Sequence, residues 1–396
     1  MQLVQVGTID LDKTVQQQLP KPLPSYPSYA DLAGDPRYQK ITPRMLLSHT
    51  SGFPNLRFLN PNGKLNINFE PGSRYAYSGE GMELLQLLVE EATKRPLQAL
   101  MQERVFGPLG MTRTSMLTEA RFDNDYANGY DEYGRSLGHQ DRKKADAAGS
   151  MQTTLHDFTL FMQVMIDGNM IDGKGLRGST RETMLSPQIE IFSKHEFPSL
   201  DTTKAADGNR GIRLSYGLGW GLYWSPYGKV FFKEGHDNGF RHYTAVFDER
   251  KDGMIIMTNS SNGEGIYKGL LESLLADTFT PIEWEGFTPY DKLPPRKPLP
   301  VHHEVTIDSK LLERLTGRYE AAFQGMTIPI VITASGGHLI LTEGDEPPGE
   351  LFAEGELQFF SKTSDDVITF DLDGAGKPVR LVVHTGGREV PVPRAK

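Results

Sequence analysis

The sequence predicts an α+β fold: an antiparallel sheet flanked by helices, followed by a small antiparallel β-barrel. Two observations in the first three quarters of the chain carry this prediction. Strand patterns joined by short turns follow one another, and helical patterns cluster before and after them. A third observation concerns the last quarter, where short alternating runs are separated by Gly, Asp and Pro turns, a pattern typical of a small barrel or sandwich.

Apolar residues at three-to-four spacing predict the helices. Three of them lie over Gly81–Lys94, Leu97–Phe106 and Thr154–Ile166, and the first ends just before Pro96. A further helix over Ile266–Thr278 closes this part of the chain. Helices before and after a run of strands favour a layered α+β domain over a doubly wound parallel sheet.

Alternating or continuous apolar runs predict the strands. In the first part they cover Tyr216–Trp224, Val230–Lys233, Arg241–Asp248 and Met254–Asn259. Asp252-Gly253 is suited to the tight turn of the hairpin between the last two. In the last quarter the strands are predicted over Ile328–Thr333, His338–Thr342, Leu357–Phe360, Val367–Leu372 and Val379–Val383.

A proline-rich segment predicts the domain boundary. Residues 288–300 read Thr-Pro-Tyr-Asp-Lys-Leu-Pro-Pro-Arg-Lys-Pro-Leu-Pro, a composition typical of an extended linker. We therefore predict one domain over residues 1–288, a linker over 289–300 and a second domain over 301–396.

Composition excludes several classes of function. The net charge of −9 is spread along the chain without a Lys/Arg-rich stripe, so nucleic acid is not an expected partner. The chain has no cysteine, and its ten histidines show no close metal-ligand spacing, so neither a metal site nor a cofactor is expected. No apolar run reaches the roughly 20 residues that span a bilayer. The first residues lack the pattern of a signal peptide, and the compartment stays open.

Four stretches resemble the serine β-lactamase and penicillin-binding-protein family, which includes class C β-lactamase-like esterases and D-Ala-D-Ala carboxypeptidases. They are residues 3–12 (LVQVGTIDLD), 41–52 (ITPRMLLSHTSG), 71–81 (PGSRYAYSGEG) with 105–111 (VFGPLGM), and 235–240 (GHDNGF) with 258–260 (TNS). The resemblance covers residues 1–280 and implies a β-lactamase/transpeptidase-like fold. The tail from residue 301 resembles the lipocalin-like barrel of some family members, with Leu315–Tyr319 as its opening.

The resemblance implies acyl transfer through a serine in a Ser-x-x-Lys turn, where one helical turn brings the hydroxyl and the amine to one face. No serine in the chain is followed by lysine three residues later. The family carries this motif in the helix that would end near Leu3–Gly7. We therefore expect it on the order of ten residues before Met1, and expect the first domain to be incomplete at its N-terminus.

Two catalytic residues follow from the resemblance. Tyr77 matches the tyrosine of a Tyr-x-Asn-type motif and would act as general base or proton shuttle; alternatively, Tyr75 and Tyr77 pack as strand residues. His236 matches the Lys/His position of a Lys- or His-x-Gly strand, where it would polarise the substrate near neutral pH; alternatively, it is a structural histidine. His49, in the second stretch, is expected to be structural and to hydrogen-bond with backbone.

Four residues are predicted to contact the substrate. Gly79 stands where the family has asparagine, a change that casts doubt on ordinary β-lactam specificity or widens the pocket. Asn238 stands where His-x-Gly would have glycine, and Gly239 follows it, so the amides of both are candidate oxyanion donors. Trp220 lies on the same predicted strand face as Trp224 and would either rim the cleft or belong to the core.

The predicted function is a serine hydrolase acting on esters, D-amino-acid peptides or β-lactams, with its nucleophile absent from this chain. The activity of the 396 residues alone is left open for that reason. The alternative is a catalytically dead module that binds a ligand or regulates. The expected partner is a small-molecule or peptide substrate. A homo-oligomer is also predicted, because a missing helix and strands would expose apolar core and a sheet edge.

Overall fold

The structure is a computed structural model that describes residues 1–60, 62–168, 175–197, 207–293, 300–323, 326–343, 348–385 and 388–395. The chain forms two compact units. The first comprises Met1–Gly134 with Asp141–Leu293, and the second comprises Arg135–Gln140 with Pro294–Lys396. Within the predicted linker, residues 294–299 lie outside the described residues.

The α-helices are, in chain order, α1 (Gln2–Gln5), α2 (Val15–Gln18), α3 (Pro43–Leu47), α4 (Gly79–Thr93), α5 (Leu97–Met101), α6 (Gly107–Leu109), α7 (Leu155–Asp167), α8 (Gly178–Met184), α9 (Asp207–Gly211), α10 (Tyr267–Leu275) and α11 (Ser309–Leu315). The strands are β1 (Gly129–Tyr130), β2 (Ser136–Gly138), β3 (Ile189–Glu190), β4 (Ser215–Tyr216), β5 (Gly221–Ser225), β6 (Gly228–Asp237), β7 (Phe240–Phe247), β8 (Asp252–Thr258), β9 (Gly317–Phe323), β10 (Met326–Ser335), β11 (His338–Glu343), β12 (Gly349–Ala353), β13 (Gln358–Ser361), β14 (Val367–Leu372), β15 (Pro378–Thr385) and β16 (Arg388–Pro393).

Side-chain caps set the start of the two long helices. Helix α4 begins two residues before its predicted start because Ser78 caps it, its hydroxyl accepting the Gly81 N–H at 2.9 Å. Helix α7 is capped by Thr154, whose hydroxyl accepts the Asp157 N–H at 3.2 Å. The predicted helix Leu97–Phe106 is helical throughout, but α5 passes at Gln102 into a wider π-helical turn.

One antiparallel sheet, ordered β3-β4-β5-β6-β7-β8, forms the centre of the first unit. Both of its faces are buried, so neighbouring residues of a strand belong to different cores. Phe232 packs with residues of α10, whereas Phe231 packs with residues of α7. A sheet between helices is the predicted α+β architecture, which the structure confirms.

Two local predictions in this sheet are wrong. The predicted strand Tyr216–Trp224 is two strands, β4 and β5, because the chain turns at residues 217–220, where the Gly217 N–H donates to the Trp220 carbonyl at 2.8 Å. In the β7–β8 hairpin the turn comprises residues 248–251. The left-handed residue there is Lys251, with φ of 58°, and Asp252-Gly253 already belongs to β8.

The second unit is an eight-stranded antiparallel meander, β9 to β16, whose first and last strands meet at Tyr319 and Arg394. Helix α11 contributes Leu312 and Leu315 to the apolar core that these strands enclose. The small barrel is therefore confirmed. Its five predicted strands are present, and β9, β12 and β16 were not predicted.

Candidate active site

Tyr77 lies in an extended segment that a neighbouring loop clamps at two points. The Ala76 N–H donates to the His49 carbonyl at 2.8 Å, and the Ser78 N–H donates to His49 Nδ1 at 3.1 Å. Because Ser78 also caps α4, the backbone on both sides of Tyr77 is held in place. These contacts fix the backbone position of Tyr77 and therefore the point from which its side chain extends.

His49 has the structural role that the sequence predicts, and it also forms one wall around Tyr77. Its ring stacks on the Tyr77 ring with 4.3 Å between centroids. Burial, and secondarily the charge of Lys233, lowers the pKa of His49 to about 3. The imidazole is therefore neutral at pH 7. Since Nδ1 accepts a hydrogen bond, the proton lies on Nε2.

Lys233, and not His236, is the basic residue that the structure brings to Tyr77. The Lys233 Nζ lies 5.0 Å from the centroid of the Tyr77 ring. It donates to Glu234 Oε1 at 2.6 Å and to the Glu234 carbonyl at 2.8 Å. The Glu234 side chain is 7% exposed and that of Lys233 29%. We refer to Tyr77, His49, Lys233 and Glu234 as the Tyr77 site.

The charges around Tyr77 oppose one another. Lys233 draws the pKa of Tyr77 down, but burial and the carboxylates of Glu234 and Glu196 outweigh it, so the pKa is raised above its ordinary value of 10.0. Burial lowers the pKa of Lys233, but Glu234 and the nearby phenols raise it well above its ordinary value on balance. At neutral pH the site therefore holds a protonated phenol beside a lysine ammonium.

His236 lies on the same strand but is exposed, three residues beyond Lys233. Successive residues of a strand face opposite sides, and three residues span about 10 Å. The Asp248 N–H donates to the Lys229 carbonyl at 2.9 Å. From the register, the backbone of β6 is hydrogen-bonded to β7 at Lys229 and at every second residue after it. The backbone of Glu234 and His236 therefore faces the other side, where pairing with β5 ends at Phe232.

Asn238 and Gly239 form the two-residue turn between β6 and β7. The Asn238 N–H donates to Asp237 Oδ1 at 2.8 Å, and the Gly239 N–H donates to Ser261 Oγ at 3.2 Å. A side chain at Gly239 would lie 2.6 Å from the Cα of Gly129. The structure thus gives both amides partners within the protein and gives the glycine a packing role.

The remaining two predicted residues, Gly79 and Trp220, are both buried. Gly79 does not widen a pocket, because its N–H donates to Asn55 Oδ1 at 3.0 Å and a Cβ there would meet the Asn55 carbonyl at 2.9 Å. Trp220 is 6% exposed and packs edge-on against Phe231 in the core beneath α7. The core alternative is therefore the one that the structure supports for Trp220.

Sequence reasoning missed Lys233, although a signal was present. Asn238 stands where His-x-Gly would have glycine, whereas Lys233-Glu234-Gly235 satisfies Lys-x-Gly three residues earlier. Glu196 was also missed; it accepts a hydrogen bond from the Tyr75 hydroxyl at 2.8 Å. No sequence pattern links residue 196 to the motif strand.

Comparison with known proteins agrees with the fold. The β-lactamase family model matches residues 1–276, and the chain belongs to this family. It is 25% identical over 389 residues to penicillin-binding protein 4* of Bacillus subtilis, covering 91% of this chain and 79% of that protein. It is 30% identical over 263 residues to monacolin J acid methylbutanoyltransferase of Aspergillus terreus, covering 55% of this chain and 62% of that enzyme.

Among solved structures, the octameric penicillin-binding-protein homologue from Pyrococcus abyssi matches 99% of this chain and 84% of its own, with a TM-score of 0.53 and 20% identity. This match shows a shared fold. Within the described residues, no helix has the length and apolar character to cross a membrane, and no three His, Cys, Asp or Glu side chains are grouped to hold a metal ion.

Proposed function

We propose that the first unit supplies the proton-transfer residues of an acyl-transfer site. This site acts on esters, D-amino-acid peptides or β-lactams through an acyl-serine. The observation that carries the proposal is the Lys233 ammonium held beside the Tyr77 phenol, on the strand with the Lys-x-Gly pattern. Membership of the β-lactamase family supports the same chemistry.

The protonation state of Tyr77 determines the order of the proton transfers. In acylation, a serine oxygen attacks the carbonyl carbon, the serine gives up its proton, and the leaving group takes one. Tyr77 carries its proton at neutral pH, so it is set to donate to the leaving group. It can accept the serine proton only after giving its own away. Lys233 stabilises the phenolate in that interval.

The open edge of β6 offers a place for the developing oxyanion. Past Phe232 the backbone N–H groups of Glu234 and His236 face the side where β5 no longer pairs. A backbone N–H directed at a developing negative charge is the usual stabilising device in acyl transfer. We assign this role to His236 through its backbone, in place of the imidazole.

The serine is the part that residues 1–396 do not contain in the family's Ser-x-x-Lys form. This favours, as the second candidate, reversible ligand binding without turnover. Intact-mass spectrometry after exposure to a fluorophosphonate and, separately, to a penicillin tests whether any serine of this chain is the nucleophile. We expect no adduct with this chain. A stoichiometric adduct on a mapped serine would refute the assignment.

The role of Tyr77 is tested by supplying the nucleophile from solution. Ethanol and a methyl ester are mixed with the chain, and formation of the ethyl ester is followed, because a methoxide leaving group must take up a proton. We expect catalysis that Tyr77→Phe reduces by roughly 10²-fold or more. Tyr290→Phe is the matched control, because that phenol is 70% exposed. Equal rates for both variants would count against the proposal.

A further inference from the structure

The cation of the Tyr77 site is already neutralised within the protein. Lys233 Nζ contacts Glu234 Oε1 at 2.6 Å and the carbonyl of the same residue at 2.8 Å. The Glu234 side chain is 7% exposed, so water cannot solvate its carboxylate in place of the Lys233 ammonium when a ligand binds. An incoming carboxylate would therefore have to compete with Glu234 for Lys233.

Further carboxyl groups surround this pair. Glu196 and Glu285 are buried, and burial together with the charge of Glu234 raises the pKa of each well above its ordinary value. Glu196 uses one oxygen to accept from Tyr75, and its other oxygen has no hydrogen-bond partner among the described residues. The environment of the Lys233–Glu234 pair thus already disfavours ionisation of the neighbouring carboxyl groups.

Two arginines at the β6–β7 hairpin, Arg241 of β7 and Arg142 from outside the hairpin, are also paired. Arg241 forms an ion pair with Glu264, with 3.1 Å between Nε and Oε2, and Arg142 forms one with Asp237. Neither guanidinium is therefore a free counter-charge for a ligand. The charge of the site is balanced before any substrate enters.

We propose that the Tyr77 site accepts an uncharged acyl group and rejects a ligand with a free carboxylate beside the bond to be cleaved. The substrate class is accordingly neutral esters or amides, in preference to peptides with a free carboxyl terminus or penicillins. This inference rests on the proposed acyl-transfer function. Its physical reason is that desolvating a carboxylate costs free energy that only an unpaired cation returns.

The test uses two probes that differ only in charge, N-acetyl-D-alanyl-D-alaninamide and the corresponding free acid, with dissociation constants measured by calorimetry at pH 7. We expect the amide to bind the 396-residue chain about 10-fold more tightly than the acid. In Glu234→Gln, Lys233 is freed, and the preference should reverse. In Lys233→Met/Glu234→Gln it should not reverse, because no cation remains.

Two controls keep the result interpretable. Glu283→Gln removes an exposed ion pair with Lys268 and should leave the ratio unchanged. Glu234→Ser is a second way to free Lys233 if Glu234→Gln folds poorly. An acid that binds wild type as tightly as the amide, or a ratio unaffected by Glu234→Gln, would overturn the inference.

A ligand-independent measurement separates this inference from the proposed function. Phenolate absorbance against pH, taken as the difference between each protein and its Tyr77→Phe variant, reports the pKa of Tyr77. Glu234→Gln should lower that pKa, and an unchanged value overturns the charge arrangement. If the pKa falls but neither probe binds, the acyl site itself is refuted, and the substrate class with it.

Discussion

The ion pair between Arg57 and Glu80 should be a main determinant of stability next to the Tyr77 site. Glu80 lies in the first turn of α4, and its carboxylate accepts three hydrogen bonds from Arg57: from the backbone N–H at 2.8 Å, from Nε at 2.9 Å and from Nη2 at 2.6 Å. The Glu80 side chain is 5% exposed and that of Arg57 24%. The pair ties the loop that contains Asn55 to the helix that follows Tyr77.

The cost of Glu80→Ala can be worked out from this geometry. Breaking a buried ion pair by removing one partner costs roughly 3–5 kcal/mol, and the partly exposed guanidinium reduces this to about 2–4 kcal/mol. In a unit of this size that corresponds to a melting temperature lower by roughly 4–8 °C. Glu80→Gln retains hydrogen-bonding oxygen and should cost less.

Tryptophan fluorescence is the appropriate assay, because Trp220, Trp224 and Trp284 all belong to the first unit. Urea and thermal unfolding followed by this signal report that unit alone. Glu283→Gln, whose carboxylate is 56% exposed, serves as the control and should change stability by less than about 0.5 kcal/mol. A loss in Glu80→Ala no larger than in this control would refute the reasoning.

Three further variants test other parts of the first unit by the same signal. The pKa of His49 is about 3 in the fold against 6.5 in the unfolded chain, so the unfolded chain takes up the proton first and stability falls as pH drops below 6.5; His49→Asn should flatten that slope. Gly79→Ala should lose roughly 1–3 kcal/mol, because its Cβ would meet backbone at 2.9 Å, and an unchanged melting temperature would contradict this. Burial raises the pKa of Asp248, but hydrogen bonds from Arg181 and Lys229 outweigh it and lower the pKa from 3.8 to about 2. That carboxylate therefore contributes about 2 kcal/mol above pH 4, which is lost as pH falls toward 2, and Asp248→Asn should remove both the stability and its pH dependence.

Local patterns in the sequence were sufficient for much of the fold. Helix α7 follows from apolar spacing, with each end within one residue of its prediction, and β14 has the predicted bounds, Val367–Leu372. These features depend on residues close together in the chain. Where a turn interrupted the apolar pattern, the prediction failed: the turn at residues 217–220 divides the predicted strand Tyr216–Trp224 into β4 and β5.

The candidate site was only half visible in the sequence. Tyr77 and the structural role of His49 were predicted from the stretches that resemble the family. The same stretches indicated the part of β6 that contains His236. Which residue of that strand meets Tyr77 depends on the pairing register of β6 and on where β5 ends, and both are set by contacts between distant segments.

The sequence by itself therefore determined the family, the α+β architecture and the barrel, and it predicted Tyr77. Only the tertiary structure decided that Lys233 is the cation beside Tyr77, that Glu234 neutralises it, and that Asn55 fills the space next to Gly79. The physical reason is that helices and turns are encoded by neighbouring residues, whereas the charge balance of a buried site depends on which distant side chains the folded chain brings together.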